Sequence, residues 1–149
     1  MEYQLKQLTP ADKEAMKAFF TGVFTQPPWN DDWSDEQQLA AYIEDLTGNK
    51  NSLAFGFFRG EEMVGLSMGS IRHWYQGTEY FIDEFCIRTD RQGQGVGTAF
   101  LRAVEDALRA MDIVHIFLLT DRDVPAFDFY RKNGFEMLEQ NTALKKTLV

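Results

Sequence analysis

The order of apolar and polar positions predicts an alternation of strands and helices. Gln4-Leu5-Lys6-Gln7-Leu8 reads as a first strand. Thr9 then stands as N-cap and Pro10 occupies the first helical position, where a missing N–H costs nothing, so a helix is predicted through about Phe24. Ala15, Phe19, Phe20 and Val23 give it an apolar stripe, and Gln26-Pro27-Pro28 stops it. After Trp29-Asn30-Asp31-Asp32-Trp33, Ser34 with Gln37 three residues later has the form of a capping box and predicts a second helix ending at Gly48.

From Ser52 the period changes. Leu53–Arg59, Met63–Trp74 and Glu79–Arg88 are predicted strands, with turns at Gly60-Glu61-Glu62 and Gln76-Gly77-Thr78, which makes an antiparallel meander. Gly95–Ala110 returns to helical spacing, with Phe100, Leu101, Val104, Leu108 and Met111 on one face. The nearly continuous apolar run Ile113–Leu119 predicts a strand buried on both faces, with His115 as a hydrogen-bonded core residue inside it. Asp123 and Pro125 open a short helix carrying Phe127, Phe129 and Tyr130, and Asn133-Gly134 ends it. Phe135–Glu139 and Thr142–Leu148 read as a closing pair of strands. With no repeat or interdomain linker, residues 1–149 are expected to form one mixed α/β domain.

Composition narrows the classes of function. The apolar share of 44% and the 13 Phe lie far from the composition of a disordered chain. Against 23 acidic residues stand 15 Lys and Arg, a formal charge of −8 with no basic stripe, which argues against nucleic acid as a partner. That charge either keeps a small domain in solution or draws in a cationic amine. Cys86 is the only cysteine, so no intrachain disulfide and no cysteine metal framework is expected, and two isolated His make no metal site. No apolar run has the length of a membrane span and the N-terminus lacks a signal-peptide pattern, so a cytoplasmic protein without a membrane partner is expected.

The segment richest in chemistry is Arg91-Gln92-Gly93-Gln94-Gly95-Val96-Gly97-Thr98, between a strand and an amphipathic helix. Alternating glycines let backbone approach a ligand closely, and the first N–H groups of the helix suit a pyrophosphate. A Walker loop would need Lys-Ser or Lys-Thr after its last glycine, where Thr98-Ala99 stands. A Rossmann fingerprint would need a third glycine where Phe100 stands, and an antiparallel meander precedes the loop.

Gln92-Gly93-Gln94-Gly95-Val96-Gly97 resembles the coenzyme A signature of the GNAT acyltransferase superfamily, and the β-α-α-β-β-β-α-β-α-β order around it is similar along essentially the whole chain. Ala126-Phe127-Asp128-Phe129-Tyr130-Arg131-Lys132-Asn133-Gly134-Phe135 is similar to the same superfamily's later motif. The resemblance implies a mostly antiparallel twisted sheet of six to seven strands, splayed between the fourth and fifth, with about four flanking helices. It implies acetyl-CoA as co-substrate, no metal, and an N-acetyltransferase acting by direct amine attack. Backbone groups of Cys86, Ile87 and Arg88 would pair with pantetheine, and amides from Gln92, Gly93, Gln94, Gly95, Val96, Gly97 and Thr98 would hold the pyrophosphate. Asp123 stands where many members carry Asn; as an ionised Asp it caps a helix but donates no amide hydrogen bond to the coenzyme.

Tyr130 takes the place of the family's phenol near the coenzyme sulfur and is the candidate general acid, although by its spacing alone it equally packs with Phe127 and Phe129. Asp83 and Glu84 are the candidate bases for the amine proton, or else solvated strand carboxylates. Strand alternation sends them to opposite faces, and likeness to aminoglycoside N-acetyltransferases ranks Asp83 first. Trp29, Asp31, Asp32 and Trp33 combine aromatic faces with negative charge and suit a cationic small-molecule acceptor, with the covering of the core as the alternative. His73 and Trp74 end the third strand near the expected cleft. Two rival functions stay open: an acyl-coenzyme A sensor without catalysis, and a peptide or protein acetyltransferase. A homodimer is the assembly the family suggests.

Overall fold

In the computed structural model, which describes residues 2–149, the period-two segments form a five-stranded sheet in the order of the sequence. The strands are β1 (Gln4–Leu8), β2 (Ser52–Arg59), β3 (Glu62–Trp74), β4 (Gly77–Ile87) and β5 (His115–Leu118). The first four pair antiparallel, and β5 returns parallel to β4. That last connection runs through helix α3 (Val96–Ala110), as a parallel crossover requires. The described residues divide into two compact units, one running to Leu119 and the other Thr120–Val149.

Two helices precede the meander, α1 (Lys13–Phe24) and α2 (Glu36–Thr47). Thr9 caps as its sequence predicts, accepting the Ala11 N–H and exchanging bonds with Asp12, although the first turn, Pro10–Asp12, is 3-10. The cap of α2 is Asp35 rather than Ser34: its carboxylate accepts the Gln37 and Gln38 N–H groups at 3.1 Å each, two bonds at the first turn of the helix. Met16, Phe20 and Val23 of α1 and Leu39, Ile43 and Leu46 of α2 pack against Leu66, Met68 and Cys86 on one face of the sheet. Phe100, Val104 and Leu108 of α3 pack against Phe55, Phe57, Val64, Tyr80 and Ile82 on the other. Phe100, fully buried, stacks on Phe57 at 5.1 Å and Phe85 at 4.9 Å between ring centres.

Three expectations are corrected. The sheet has five strands, not six to seven, because residues 135–149 contain none. In the tail, Lys146 interrupts the face that Leu144 and Leu148 would share, and those leucines are 90% and 88% exposed, so no apolar stripe favours pairing. The run Ile113–Leu119 forms only the four-residue edge strand β5, with His115 exposed rather than in the core. In the smaller unit, α4 (Pro125–Lys132) forms where predicted and ends at Asn133 and left-handed Gly134, φ 92°.

Candidate active site

The site grows from an irregularity in β4. Glu84 pairs with Met68 and Ile82 with Gly69, so Asp83 is the extra residue of a β-bulge. A Cβ at Gly69 would drive into the Phe81 carbonyl and the Tyr80 ring, which is why the strand opposite carries glycine. The bulge resets the alternation: Tyr80 and Ile82 lie on the α3 face, as do Phe85 and Ile87, whereas Cys86 lies on the α1–α2 face. Glu84 shares the latter face, where its Oε1 accepts the Tyr42 hydroxyl of α2 at 3.0 Å. Simple alternation between Asp83 and Glu84 therefore does not hold.

The two carboxylates differ in environment. Asp83 is exposed at the bulge; partial desolvation raises its pKa, and the Arg72 guanidinium pulls the other way. Glu84 is half-buried, and desolvation, with Asp83 and Asp31 adding negative charge, pushes its carboxyl up to about 7 against the opposing Tyr42 hydrogen bond. Burial also raises the Tyr42 hydroxyl, so it stays protonated and donates. Cys86, buried on the same face, has its thiol pushed well above the ordinary range and remains a neutral packing residue.

Aromatic rings pack around Tyr42, the partner of Glu84. Trp33 stacks on Tyr42 at 5.3 Å and 14°, and Phe20 meets Trp33 edge-on at 5.4 Å. Trp29 packs on Phe24 at 5.5 Å. The two tryptophans thus pack against the α1–α2 core, and Trp33 also stacks on Tyr42, the hydrogen-bond partner of Glu84. Asp31 is exposed and acts on Glu84 through its charge. Asp32 is exposed too, and hydrogen bonds from the Ser34 hydroxyl and N–H lower its carboxyl. Tyr42 was not legible as a site residue. Its signal was a phenol beside the apolar stripe Leu39–Ile43–Leu46, a position where a half-buried hydroxyl needs a partner.

Beyond the bulge β4 continues past its parallel neighbour. Pairing with β5 ends at Ile82, opposite Leu118 where β5 itself stops, while β4 runs on to Ile87. Only part of the backbone expected to bind pantetheine faces away from β3. Arg88 N–H donates to Val64 C=O at 2.9 Å, and ladder alternation turns Cys86 toward β3 as well. Ile87 is turned the other way, with its C=O accepting from Gln92 Nε2 at 3.0 Å. Of the three residues assigned to pantetheine, Ile87 alone has backbone groups directed away from β3.

The loop then tightens through a 3-10 turn, Thr89–Arg91, into the glycine segment. Gly93 and Gly95 are left-handed, φ 77° and 81°, with open space beside both. Gly95 is the N-cap of α3 and brings no side-chain acceptor. The first α-helical bond runs from Ala99 N–H to Gly95 C=O at 3.1 Å, which leaves the N–H groups of Val96, Gly97 and Thr98 directed out of the helix. Nearby cations are already engaged: Arg88 forks onto Asp90 and reaches Glu62, which also binds Arg91. An anion here would meet backbone donors and the helix dipole first. These donors suit a pyrophosphate.

His73 and Trp74 are exposed at the tip of the β3–β4 hairpin. His73 lies five residues from Met68, about 17 Å at ~3.3 Å per residue, and so outside the Glu84 cluster. In the smaller unit Tyr130 is buried, edge-on to Phe129 at 5.4 Å and Phe135 at 5.2 Å. Asp123 is exposed and does not cap α4, whose N-cap is Val124. Among the described residues no group of three or more His, Cys, Asp or Glu has the geometry to hold a metal ion, and no helix is long and apolar enough to cross a membrane.

Comparison with known proteins adds three findings. The model of the acetyltransferase (GNAT) family matches residues 13–135. No curated protein matches the chain. Solved structures match closely in shape. An aminoglycoside acetyltransferase from an uncultured soil metagenomic sample, in complex with sisomicin, has TM-score 0.75 at 19% identity, covering 99% of this chain and 97% of that one. AAC(6')-Iy in complex with the bisubstrate analog CoA-S-monomethyl-acetylneamine has TM-score 0.73 at 16% identity, covering 99% of each chain. An integron cassette protein from the mobile metagenome of V. cholerae has TM-score 0.79 at 12% identity, covering 99% and 93%. At these identities the likeness is one of fold.

Proposed function

The chain belongs to the acetyltransferase (GNAT) family, and from that membership we propose that it moves acetyl from acetyl-CoA to a primary amine of a small cationic molecule. The observation that carries the acceptor side is Glu84, a half-buried carboxylate with pKa near 7 beside a stacked Trp33–Tyr42 wall. The family's donor chemistry supports the other side. On this reading residues 1–149 act as one GNAT domain.

The proposed mechanism needs no covalent enzyme intermediate. Glu84 takes a proton from the acceptor ammonium, directly or through water, and a base poised near neutrality suits that task. Its protonated form is not wasted, since the proton leaves to solvent after each turnover. The freed lone pair attacks the thioester carbonyl, the carbon–sulfur bond breaks, and the departing thiolate takes a proton. Tyr130 is the proposed donor of that proton, on the strength of its place in the family's later motif. Asp83, at the bulge, and Asp31 add negative charge that favours an ammonium group, with Trp33 and Trp29 offering aromatic surface. The Gln92–Thr98 amides and the Ile87 backbone are the proposed contacts of coenzyme A.

A thermal shift with acetyl-CoA, followed by thiol release against aminoglycosides, polyamines, amino acids and short peptides, tests the proposal. Stabilisation with release on a cationic small amine supports it. Stabilisation without release on any amine turns the reading into a sensor, and release on peptides alone moves it to protein acetylation. No stabilisation by saturating acetyl-CoA overturns it.

A further inference from the structure

We propose that Tyr42 is a positioning residue for Glu84, its hydroxyl fixing the carboxylate and its ring held in turn by the stacked indole of Trp33. The inference rests on the reading of Glu84 as the base. Tyr42 belongs to no coenzyme or glycine motif, and α2 brings it to β4 from 42 residues away in sequence.

The argument begins with what surrounds Glu84. Tyr42 of α2 is the one hydrogen-bond partner of its carboxylate among the described residues, at 3.0 Å. The charged groups acting on it are Asp83 on its own strand and Asp31 from the segment before α2, both negative, and Cys86 nearby is neutral. Arg72 faces Asp83 instead. With no cation to orient it, a glutamate with three free torsions would spread over several rotamers and lose proton affinity control together with direction. A single directional donor supplies both. It also favours the charged form, and so opposes the burial that raises the pKa.

The donor is itself fixed. Tyr42 lies nearly parallel to Trp33, 5.3 Å and 14°, and within 5.8 Å of the Phe20 ring. Trp33 is in the aromatic, acidic segment proposed to meet the acceptor. The segment that senses the acceptor and the group that deprotonates it are thus joined through one phenol ring, with α2 as the rigid support.

The test is a pH titration of side-chain carboxyl carbons in the full chain labelled with 13C-glutamate, Glu84→Gln assigning the resonance. In the unmodified protein Glu84 is expected to titrate near pH 7. Tyr42→Phe keeps the ring and its stacking, and is expected to raise the midpoint by about one unit, a tenfold gain in proton affinity. The acidic limb of acetyl transfer should move by the same amount, with the acetyl-CoA KM unchanged. A midpoint near 7 that Tyr42→Phe leaves in place overturns this inference and spares the base reading. An ordinary glutamate midpoint in the unmodified protein overturns both. Should Tyr42→Phe not fold, incorporation of 3-fluorotyrosine decides: its more acidic hydroxyl must lower the midpoint, and an unmoved midpoint overturns the inference.

Discussion

At the residue scale the decisive fact is an unfavourable one: a carboxylate placed where burial and two other carboxylates oppose its charge. Its pKa near 7, against an ordinary 4.5, fixes the sign of its effect on stability. Between those values the folded state binds the proton more tightly than the unfolded chain, so stability is lost as pH rises from about 4.5 to about 7. Glu84→Gln removes the ionisation and should stabilise the protein at pH 8, on the order of 2 kcal/mol after allowance for partial solvent screening, with little gain at pH 4. Melting curves at the two pH values check this. The same variant should lose about a hundredfold or more in kcat/KM, the range that general base catalysis spans. Gain of stability with loss of activity marks a group kept for chemistry rather than for folding. A variant that melts lower at pH 8 would show instead that the carboxylate holds the fold together.

At the element scale the bulge matters more than any single side chain. Gly69→Ala sets a methyl group against the Phe81 carbonyl, a backbone atom that cannot swing aside. It should cost about 1–3 kcal/mol by denaturant titration and displace Asp83 and Glu84 together, so activity should fall further than stability alone requires. Gly95→Ala differs, because the space beside it is open and only its left-handed φ of 81° is penalised, by about 1–2 kcal/mol. It should leave the sheet intact and weaken acetyl-CoA binding several-fold, measured by calorimetry, since the loop amides would turn. The contrast shows what the sequence made legible. The glycine loop was visible because glycine spacing and helix periodicity are local, and the meander and all four helices were visible for the same reason. The bulge was not: one extra residue in β4 leaves composition and alternation looking normal, yet it reverses which face Glu84 meets. Tyr42 was hidden because its partner lies on another element. The closing strands do not form, because short mixed runs such as Thr142–Leu148 satisfy strand propensity without an apolar face to bury.

At the scale of the whole molecule, charge sets what the two substrates feel before they dock. A net charge of −8 attracts a polycationic acceptor and repels the polyanionic coenzyme, and Arg88 and Arg91, which precede the glycine loop, are already paired with Asp90 and Glu62. Screening should therefore act in opposite directions on the two. Between ~0.1 M and ~1 M salt the Debye length falls from about 10 Å to about 3 Å. Over that range kcat/KM for a polycationic amine should drop, by tenfold or more where the field steers the encounter, while the acetyl-CoA KM should hold or fall. A monoamine serves as the control and should respond least. Because general destabilisation by salt would worsen both substrates together, the divergence is what identifies the field. Parallel loss for both would assign the acidic surface to solubility alone and leave acceptor choice to the contacts around Glu84.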